Sequence, residues 1–521
     1  MRSSVRYLFA AAAALRAYGL PQLDAQLGAR QASSKLVFCH FMIGVVSDRT
    51  SAAAYDSDMQ RAKAMGIDAF ALNIGTDSYT DQQLGFAYQS AANNGMKVFI
   101  SFDFNWWNTG QGSAIGSKIA QYAGLSAQLF VSGKVFVSSF AGDGVNVAAI
   151  RSAAGRAIYF APNYHPGQGD FSTVDGALNW MGWPSNGKNK APSGGVTVTV
   201  DAGDQFYRSA LSSKGYIART SSVSFKNLYS FWSTAASPWF STHFGAEVSY
   251  SKNWVFPSDL LWYLRWREIL ALQPTFVEIV TWNDYGESHY IGPLSSQHTD
   301  DGSSKWANDM PHNGWLDMAK PFIQAYKAGS TSPNQYITSD QIIYWYRIAP
   351  KALNCDATDT TMQAANNASG NFFEGRPDGY NTMQDNIHVV TLLKAAGTVL
   401  INSGSTAYTY NAPAGASALA VPFHVGSQSF ALTRSGAQVM SATSLKLIQN
   451  VCPCGLYNFN AYVGTVPAVT RDVLSGGGLS GFPNGLKVAC AATPSLPATP
   501  PATTRATTTI VATAAPTSPL V

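Results

Sequence analysis

Charged side chains are scarce in this chain of 521 residues, because Asp, Glu, Lys and Arg together make up only 12% of it. The 34 basic residues barely outnumber the 30 acidic ones, and three of them, Arg2, Arg6 and Arg16, lie in the first segment. A chain so close to neutral has no electrostatic reason to bind nucleic acid or an anionic membrane. We therefore predict neither as a partner.

Sequence signatures of bound cofactors are also missing. No glycine-rich phosphate loop follows any predicted strand, and the histidines do not lie at the spacing of metal ligands. Cys452 and Cys454 form a pair, but no second pair and no nearby histidine completes a zinc site. We therefore expect neither a metal ion nor a cofactor.

Cysteine is rare, with five residues in the chain. Four lie in the C-terminal third, which is enough for two disulfides whose pairing the sequence does not determine. They are Cys355, Cys452, Cys454 and Cys490. The fifth, Cys39, falls in an apolar strand, where we expect a buried free thiol. This usage indicates an oxidising compartment.

The N-terminus has the pattern of a secretory signal peptide, which we assign to residues 1–19. Arg2 and Arg6 precede the apolar run Tyr7–Leu15, and small residues follow it. The run is too short to span a bilayer, and an ordinary N-terminal helix is the alternative. We interpret residues 20–34 as a short pro-segment or linker, and we expect a secreted protein, extracellular or in the cell wall.

Residues 35–329 alternate between short apolar strands and longer segments with helical periodicity. The predicted strands are Leu36–Phe41, Ala69–Ile74, Val98–Phe102, Val135–Phe140, Ala157–Ala161, Ala177–Met181, Leu228–Trp232 and Phe276–Trp282. Eight strand–helix repeats in this length indicate an α/β fold, a (β/α)8 TIM-type barrel. A doubly wound open sheet is the alternative, and the missing phosphate loop argues against it.

Capping residues mark several helix ends in this region. We predict helices at Tyr55–Met65 and Thr80–Asn94, each followed by a glycine, and at Ser258–Ala271, which begins with a good N-cap residue.

The composition changes after about residue 337, where short strand-like runs are separated by Gly, Ser and Asn turns. The predicted strands there are Ile342–Arg347, Ile387–Leu393, Val399–Asn402, Ala418–Val425, Ser429–Thr433 and Ser444–Ile448. We expect residues 337–490 to form a smaller all-β sandwich-like domain that packs on the barrel. A sequon at Asn367 predicts a glycosylated loop. Residues 491–521 are rich in Ala, Thr, Pro and Ser, and this composition predicts a disordered tail.

The most informative stretch is Thr281–Tyr290, with the sequence TWNDYGESHY, which follows the apolar strand Phe276–Val280. It holds two carboxylates three residues apart, Asp284 and Glu287, among aromatic side chains. Glycoside hydrolysis needs one acid to protonate the leaving oxygen and a second carboxylate to activate water or attack directly. Because barrel active sites lie at the C-terminal ends of strands, this stretch indicates a carbohydrate-cleaving site.

We predict Glu287 as the general acid and Asp284 as the general base, and the exchange of these roles stays open. Asp103 ends another strand and is the third catalytic candidate, as a group that positions water or a sugar hydroxyl. Further polar and aromatic residues at strand ends or in nearby loops are predicted to bind substrate, the tryptophans by stacking on sugar rings. They are His40, Asn73, Trp106, Trp107, Asn163, Trp183, Trp239, Asn283, Tyr285 and His289.

At Thr281–Tyr290 the chain resembles glycoside hydrolase family 71, the fungal α-1,3-glucanases or mutanases. Further matches to this family are Phe38–Met42, Gly66–Asn73, Phe99–Asp103, Ser237–Phe240, Tyr344–Arg347 and Cys454–Asn458. The resemblance implies hydrolysis of α-1,3-glucan with inversion, for which about 6.5–9.5 Å between the carboxyl groups is typical. We expect endo action by a monomer. Met181 departs from the family's pattern beside the expected cleft, so the preferred substrate length stays open.

Three other functions stay open at this point. The same fold would suit a hydrolase of another α-glucan, such as an α-1,4-linked or mixed-linkage polysaccharide. A glucan-binding cell-wall protein with an inactive site is the second alternative, against which the retained Asp103, Asp284 and Glu287 argue. The third is a structural wall protein carried by its Ser-, Thr- and Pro-rich tail.

Overall fold

The computed structural model describes residues 35–187, 190–212, 232–244, 252–353, 355, 376–452, 457–468 and 506–507. Several predicted features lie outside these ranges, namely the signal peptide, the pro-segment, Asn367, Cys454, Cys490 and all of the tail except Ala506–Thr507. Among the described residues, no helix combines the length and the apolar character needed to cross a membrane.

A parallel sheet forms the centre of the N-terminal part. The strands described there are β1 (Leu36–Met42), β2 (Ala69–Ile74), β3 (Lys97–Asp103), β4 (Phe130–Val131), β5 (Lys134–Phe140), β6 (Ile158–Asn163), β7 (Ala177–Asn179), β8 (Trp232–Ala236), β9 (Ser241–Phe244), β10 (Lys252–Val255) and β11 (Phe276–Ile279). Eight of them pair in parallel in the order β6-β5-β3-β2-β1-β11-β8-β7. The short β4 adds to β5, and β9 with β10 forms a separate antiparallel hairpin.

This sheet is curled, so that its two end strands, β6 and β7, approach each other. The side-chain amide of Asn163, at the end of β6, donates to the carbonyl of Leu178 in β7 at 3.0 Å. Rings from strands far apart in the sheet meet across its inner face, where the centroids of Phe136 (β5) and Phe276 (β11) lie 5.5 Å apart. The protein therefore has a mixed α/β fold built on a curled parallel sheet with an aromatic interior.

Eight α-helices are described in the N-terminal part. They are α1 (Asp56–Met65), α2 (Thr80–Asn94), α3 (Gly112–Tyr122), α4 (Val147–Ala154), α5 (Val200–Ser212), α6 (Leu261–Leu272), α7 (Ser304–Ala307) and α8 (Asn313–Lys327). The predicted ends of α1 and α2 are confirmed, because Gly66 and Gly95 take the left-handed conformation there.

Two local predictions in this region are wrong. Helix α6 starts at Leu261 and is not capped by Ser258, whose hydroxyl donates to the Phe256 carbonyl instead. The connection 164–176 between β6 and β7, which is described in full, holds no helix, so the strand–helix alternation is incomplete there. Most of the predicted strand Leu228–Trp232 lies outside the described residues, and the described strand β8 begins at Trp232.

Two further sheets form the C-terminal part. Their strands are β12 (Gln341–Arg347), β13 (Asn386–Leu393), β14 (Gly397–Ser403), β15 (Thr406–Ala412), β16 (Gly415–Pro422), β17 (Gln428–Arg434), β18 (Ala437–Thr443), β19 (Ala461–Val466) and β20 (Ala506–Thr507). The orders are β16-β13-β12-β19 and β18-β17-β14-β15-β20, antiparallel except for the pairing of β20. The two sheets face each other, since the Tyr344 and Phe430 rings, one from each sheet, stack at 3.8 Å.

Five of the six strands predicted in this part are confirmed with small changes at their ends. The sixth, Ser444–Ile448, is wrong, because Ile448 forms only an isolated bridge with Gly426. Strands β15, β18, β19 and β20 were not expected, and β20 lies in the segment predicted to be a disordered tail. Most of β18 is exposed, so it lacks the apolar alternation that marks a strand in sequence.

The C-terminal sheets pack against the N-terminal part, as predicted. Along β12, Tyr344 and Tyr346 point into the core between the two sheets, and Trp345 points the other way. Trp345 donates from Nε1 to the Asp259 carbonyl at 2.8 Å, and its ring lies 5.8 Å from that of Trp315 in α8. One buried apolar cluster therefore continues from the helices of the N-terminal part into the C-terminal part.

One disulfide is described. It joins Cys355 to Cys452, which lie 97 positions apart in sequence with their Cα atoms 6.2 Å apart. Cys39 is a free and fully buried thiol, as predicted.

Candidate active site

The loop that leaves the C-terminal end of β11 carries the two candidate acids, and we call residues 281–291 the acid loop. It folds back on itself, because Thr281 N donates to His289 O and Ile291 N donates to Thr281 O. The indole of Trp282 donates to the buried carboxylate of Asp58 in α1 at 2.9 Å. These bonds hold both ends of the loop and therefore the positions of the acids between them.

Asp284 and Glu287 converge on one imidazole. His289 Nε2 lies 3.0 Å from Glu287 Oε2 and 3.7 Å from Asp284 Oδ2. The hydroxyl of Thr281 contacts His289 Nδ1 at 3.1 Å and accepts the Asp284 N–H at 2.9 Å. The Glu287 N–H donates to Asp284 Oδ1 at 3.0 Å. The structure thus brings together Asp284, Glu287 and His289, three of the predicted site residues.

A lysine from outside the acid loop completes this cluster. Lys252 Nζ, on β10, lies 2.6 Å from Glu287 Oε1. Both carboxyl groups remain accessible, since each side chain keeps 18% of its surface exposed.

The two acids have opposite shifts in pKa. Burial raises the pKa of Asp284 to about 6, with the negative charge of Glu287 adding to the effect and His289 opposing it. Burial would also raise the pKa of Glu287, but the charge of Lys252 and the hydrogen bond and charge of His289 outweigh it and lower that pKa to about 2. Between these two values Asp284 holds a proton and Glu287 is a carboxylate.

The carboxyl groups lie closer together than the sequence led us to expect. At least one oxygen of each lies within 4.8 Å of the other group and of the His289 imidazole. Inverting pairs are typically separated by about 6.5–9.5 Å, and retaining pairs by about 5–5.5 Å. The shared contact with His289 explains the short distance, because it draws both side chains to one point.

Strands β1, β2 and β3 supply a second group of polar residues. Asp103 ends β3, and burial raises its pKa, partly offset by the N–H of Asn105, the charge of His40 and the Asn73 side chain. His40 Nδ1 lies 2.8 Å from Glu278 Oε1, and both side chains are buried. The predicted residues His40, Asn73 and Asp103 therefore form one polar wall of the site.

Among the predicted stacking residues, Trp106 stands apart because it is 61% exposed. Its backbone N–H donates to the Asp103 carbonyl, so it lies immediately beyond the end of β3. Trp107, Trp183 and Trp239 are buried, and each donates its indole N–H to a backbone carbonyl. Their ring faces are covered, so they support the site from behind.

Three other predicted residues make bonds within the protein. Asn283 holds the end of β1 through two bonds with the Met42 backbone. The hydroxyl of Tyr285 donates to Pro293 O at 3.3 Å, and Asn163 bonds to the Leu178 carbonyl as described above. These contacts give each of them a structural part in shaping the site.

Comparison with known proteins agrees with the motif pattern. The sequence model of glycosyl hydrolase family 71 matches residues 33–475. The chain belongs to family 71. A mutanase of Penicillium rubens is 40% identical over 457 residues, which cover 87% of this chain and 93% of the relative. The glucan endo-1,3-alpha-glucosidase of Schizosaccharomyces pombe is 32% identical over 453 residues, covering 83% and 95%.

Among solved structures, a GH99 endo-alpha-mannosidase from Bacteroides thetaiotaomicron is similar to part of this family 71 chain. It is 9% identical, covers 56% of this chain and 98% of its own, and has a TM-score of 0.38.

Three residues of this family 71 site were missed from the sequence. Lys252 lies 35 positions before Glu287, and nothing in its local sequence marks it. Trp180 follows β7, and its ring meets that of His40 edge-on at 4.7 Å. Glu278 lies in an apolar strand, and that was a usable signal, because a carboxylate in a buried strand requires a partner.

Asp284, Glu287 and His289 also have the composition of a small metal site, with one potential ligand atom each within 4.8 Å. The ammonium of Lys252 already provides a positive charge at Glu287. The arrangement is therefore suited to acid–base chemistry by the protein's own side chains.

Proposed function

We propose that this protein is a secreted enzyme that hydrolyses the α-1,3-glucosidic bonds of α-1,3-glucan, the polysaccharide also called mutan. The observation that carries the proposal is the pair of neighbouring carboxyl groups, Asp284 and Glu287, which converge on His289 in the acid loop. Support comes from the relatives in family 71 that are named mutanase and glucan endo-1,3-alpha-glucosidase. We further propose that the enzyme acts within the glucan chain and inverts the anomeric centre.

In the proposed reaction Asp284 is the general acid and Glu287 the general base. Asp284 gives its proton to the glycosidic oxygen as the bond from that oxygen to C1 breaks. Glu287 takes a proton from the water whose oxygen forms the new bond to C1. These roles reverse the preference from sequence, and the order of the two pKa values supports the reversal. The two carboxyl groups must turn apart for a water to fit between them.

The polar wall and the exposed tryptophan have roles in substrate binding in this proposal. Asp103 and Asn73 bind sugar hydroxyls, and His40 lies beside them with its ring set by Glu278. Trp106 offers a free ring face next to Asp103 for stacking on a glucose unit.

We propose a matching domain organisation. Residues 35–329 form a closed (β/α)8 barrel that carries the site at the C-terminal ends of its strands. Residues 337–490 form a β-sandwich domain, and the protein acts as a monomer.

Product analysis on insoluble α-1,3-glucan tests the function, with starch and a mixed-linkage α-glucan as comparison substrates. We expect reducing sugar from α-1,3-glucan alone, released as a series of oligosaccharides. Proton NMR should show the β-anomer first, since hydrolysis of an α-bond with inversion produces it. Release from another α-glucan alone would assign a different substrate, and no release from any would indicate a binding protein.

The roles of the acids are tested with Asp284→Asn and Glu287→Gln. Both should lose nearly all turnover, and azide should restore it only in Glu287→Gln, because azide can replace the activated water but cannot donate a proton. Asp81→Asn, an exposed carboxylate on α2, is the control and should keep full activity. Rescue of Asp284→Asn instead would return the acid role to Glu287.

A further inference from the structure

Lys252 contacts the acid loop from a part of the chain that lies outside the curled sheet. It begins β10, which pairs with β9 in a hairpin of four paired positions. The hairpin is bonded to the acid loop, because Ser241 N in β9 donates to Glu287 O at 3.1 Å. Lys252 Nζ then reaches the side chain of the same glutamate, 2.6 Å from Oε1. The hairpin thus holds Glu287 by its backbone and by its side chain.

The hairpin is itself fixed by aromatic packing. The ring of Phe244 in β9 meets Trp306 of α7 edge-on at 4.8 Å. On β10, the ring of Trp254 stacks on Phe240 at 6.1 Å. Because Lys252 extends from a supported strand, its ammonium has a defined position, unlike the end of a flexible surface lysine.

The two oxygens of the Glu287 side chain face different partners. Oε1 faces Lys252, and Oε2 faces His289 on the acid loop itself. Asp284 lies beside them on the same loop, and Asp301, from the segment before α7, adds negative charge near Asp284. Asp103 on β3 also experiences the charge of Lys252.

A second lysine lies in the neighbourhood. Lys190 has its ammonium 3.9 Å from the centre of the Trp254 ring, and its pKa is lowered by burial first and then by the charge of Lys252. Lys252 is therefore the cation in direct contact with a candidate catalytic carboxylate.

We propose that Lys252 is a positioning residue that keeps Glu287 in its carboxylate form and fixes Oε1, so that the proton of the acid pair resides on Asp284. The proposal rests on the proposed function, in which Glu287 is the general base. A lysine within 3 Å makes the transfer of that proton to Glu287 unfavourable, because the ion pair would be lost. Asp284 and Glu287 lie close together in one loop, and in this proposal Lys252 determines which of them is the acid and which is the base.

The test compares Lys252→Gln and Lys252→Arg with the wild type, using kcat/KM against pH on a soluble α-1,3-linked glucose oligosaccharide. Loss of the charge should move the acidic limb of the Gln variant upward by about one to three pH units. The basic limb should also move upward, by less, because Lys252 opposes the rise in the pKa of Asp284. Lys252→Arg keeps the charge and should retain the wild-type limbs.

Lys118→Gln is the matched control, since Lys118 forms an ion pair of 2.5 Å with Asp81 on the helical surface. It should leave the pH profile unchanged. Thermal unfolding verifies that each variant is folded. If Gln disrupts the hairpin, Lys252→Met, which keeps the aliphatic length, is measured in the same way.

The possible failures are distinguishable. A wild type with no activity on the α-1,3-linked substrate overturns the proposed function. An active wild type together with an unchanged acidic limb in a folded Gln or Met variant overturns the role of Lys252 alone.

Discussion

Asp284 and Glu287 occupy similar positions in one loop, yet different neighbours determine their protonation. Glu287 has two close partners, the Lys252 ammonium and the His289 imidazole, at 2.6 and 3.0 Å. Asp284 lies 3.7 Å from His289 and is otherwise dominated by burial and by the negative charge of Glu287. In the proposed mechanism, the neighbours of each acid therefore determine which one donates the proton.

The pH dependence of activity follows from these shifts. Asp284 must be protonated, so activity should be lost as the pH rises through about 6, and Glu287 must be ionised, so activity should be lost as the pH falls through about 2. We expect a bell-shaped profile of kcat/KM with an acidic optimum, measured on a soluble α-1,3-linked oligosaccharide. An optimum above pH 7 would contradict the assignment of Asp284 as the acid.

Two tryptophans predicted to have the same role should respond differently to substitution. Trp106→Ala removes an exposed ring and should raise KM about 2- to 12-fold, the equivalent of about 0.5–1.5 kcal/mol. It should change the free energy of unfolding by about 0.5 kcal/mol or less. Trp239→Ala removes a buried ring, which is 1% exposed, and should lower that free energy by about 3–5 kcal/mol.

Kinetics on glucan oligosaccharides and urea unfolding measure the two effects. Unchanged binding by Trp106→Ala would remove this residue from the proposed substrate site.

At the scale of elements, a buried ion pair holds together the part of the sheet where the strand–helix alternation is least regular. Arg265 in α6 pairs with Asp204 in α5 at 2.5 Å and donates to the carbonyl of Ala235 in β8. Asp204 also accepts from Asn179 of β7 and from Thr234 of β8. One carboxylate thus joins two strands and two helices.

Breaking this ion pair should be costly. Arg265→Met leaves the buried Asp204 carboxylate without its cation and should reduce the free energy of unfolding by about 3–5 kcal/mol. Arg267→Met is the control, because Arg267 is an exposed residue of the same helix, and it should have little effect. Urea unfolding of both variants provides the measurement, and equal stability of the two would show that the ion pair is dispensable.

At the scale of the whole molecule, direct contacts join the C-terminal sheets to the N-terminal part. His312, before α8, lies 2.9 Å from both the Tyr290 carbonyl behind the acid loop and the Ala461 carbonyl in β19. The segment that connects the two parts is short. It is fixed by a hydrogen bond, in which the side chain of Asn334 accepts the N–H of Ala416 at 3.0 Å. The site and the C-terminal part therefore share one structural support.

Limited proteolysis tests whether the N-terminal and C-terminal parts stay together. We expect early cleavage only beyond Cys490, in the segment whose composition predicts disorder, with residues 35–468 remaining together. Mass spectrometry of the fragments identifies the cuts. A variant that ends after Cys490 serves as the control and should give no early product. Rapid release of an intact N-terminal part by a cut near Gly329 would contradict the expectation.

Much of the fold was predictable because local rules applied. Helices α1 and α2 end at glycines that take positive φ, and strands β1 to β3 have apolar runs of ordinary length. Prediction failed at β18 because tertiary pairing replaced a local signal, since this exposed strand is stabilised mainly by its pairing with β17. The Ser258 cap failed for a local reason, because its hydroxyl donates to the Phe256 carbonyl two residues earlier.

The sequence by itself determined the alternation of strands and helices, the family and the two acids, because these depend on residues close together in the chain. Only the tertiary structure decided which acid carries the proton and which tryptophan presents a free face. Protonation depends on the charges that surround a group in space, and the decisive one, Lys252, lies 35 positions from Glu287. Exposure likewise depends on what packs over a ring, as when the C-terminal part covers Trp239.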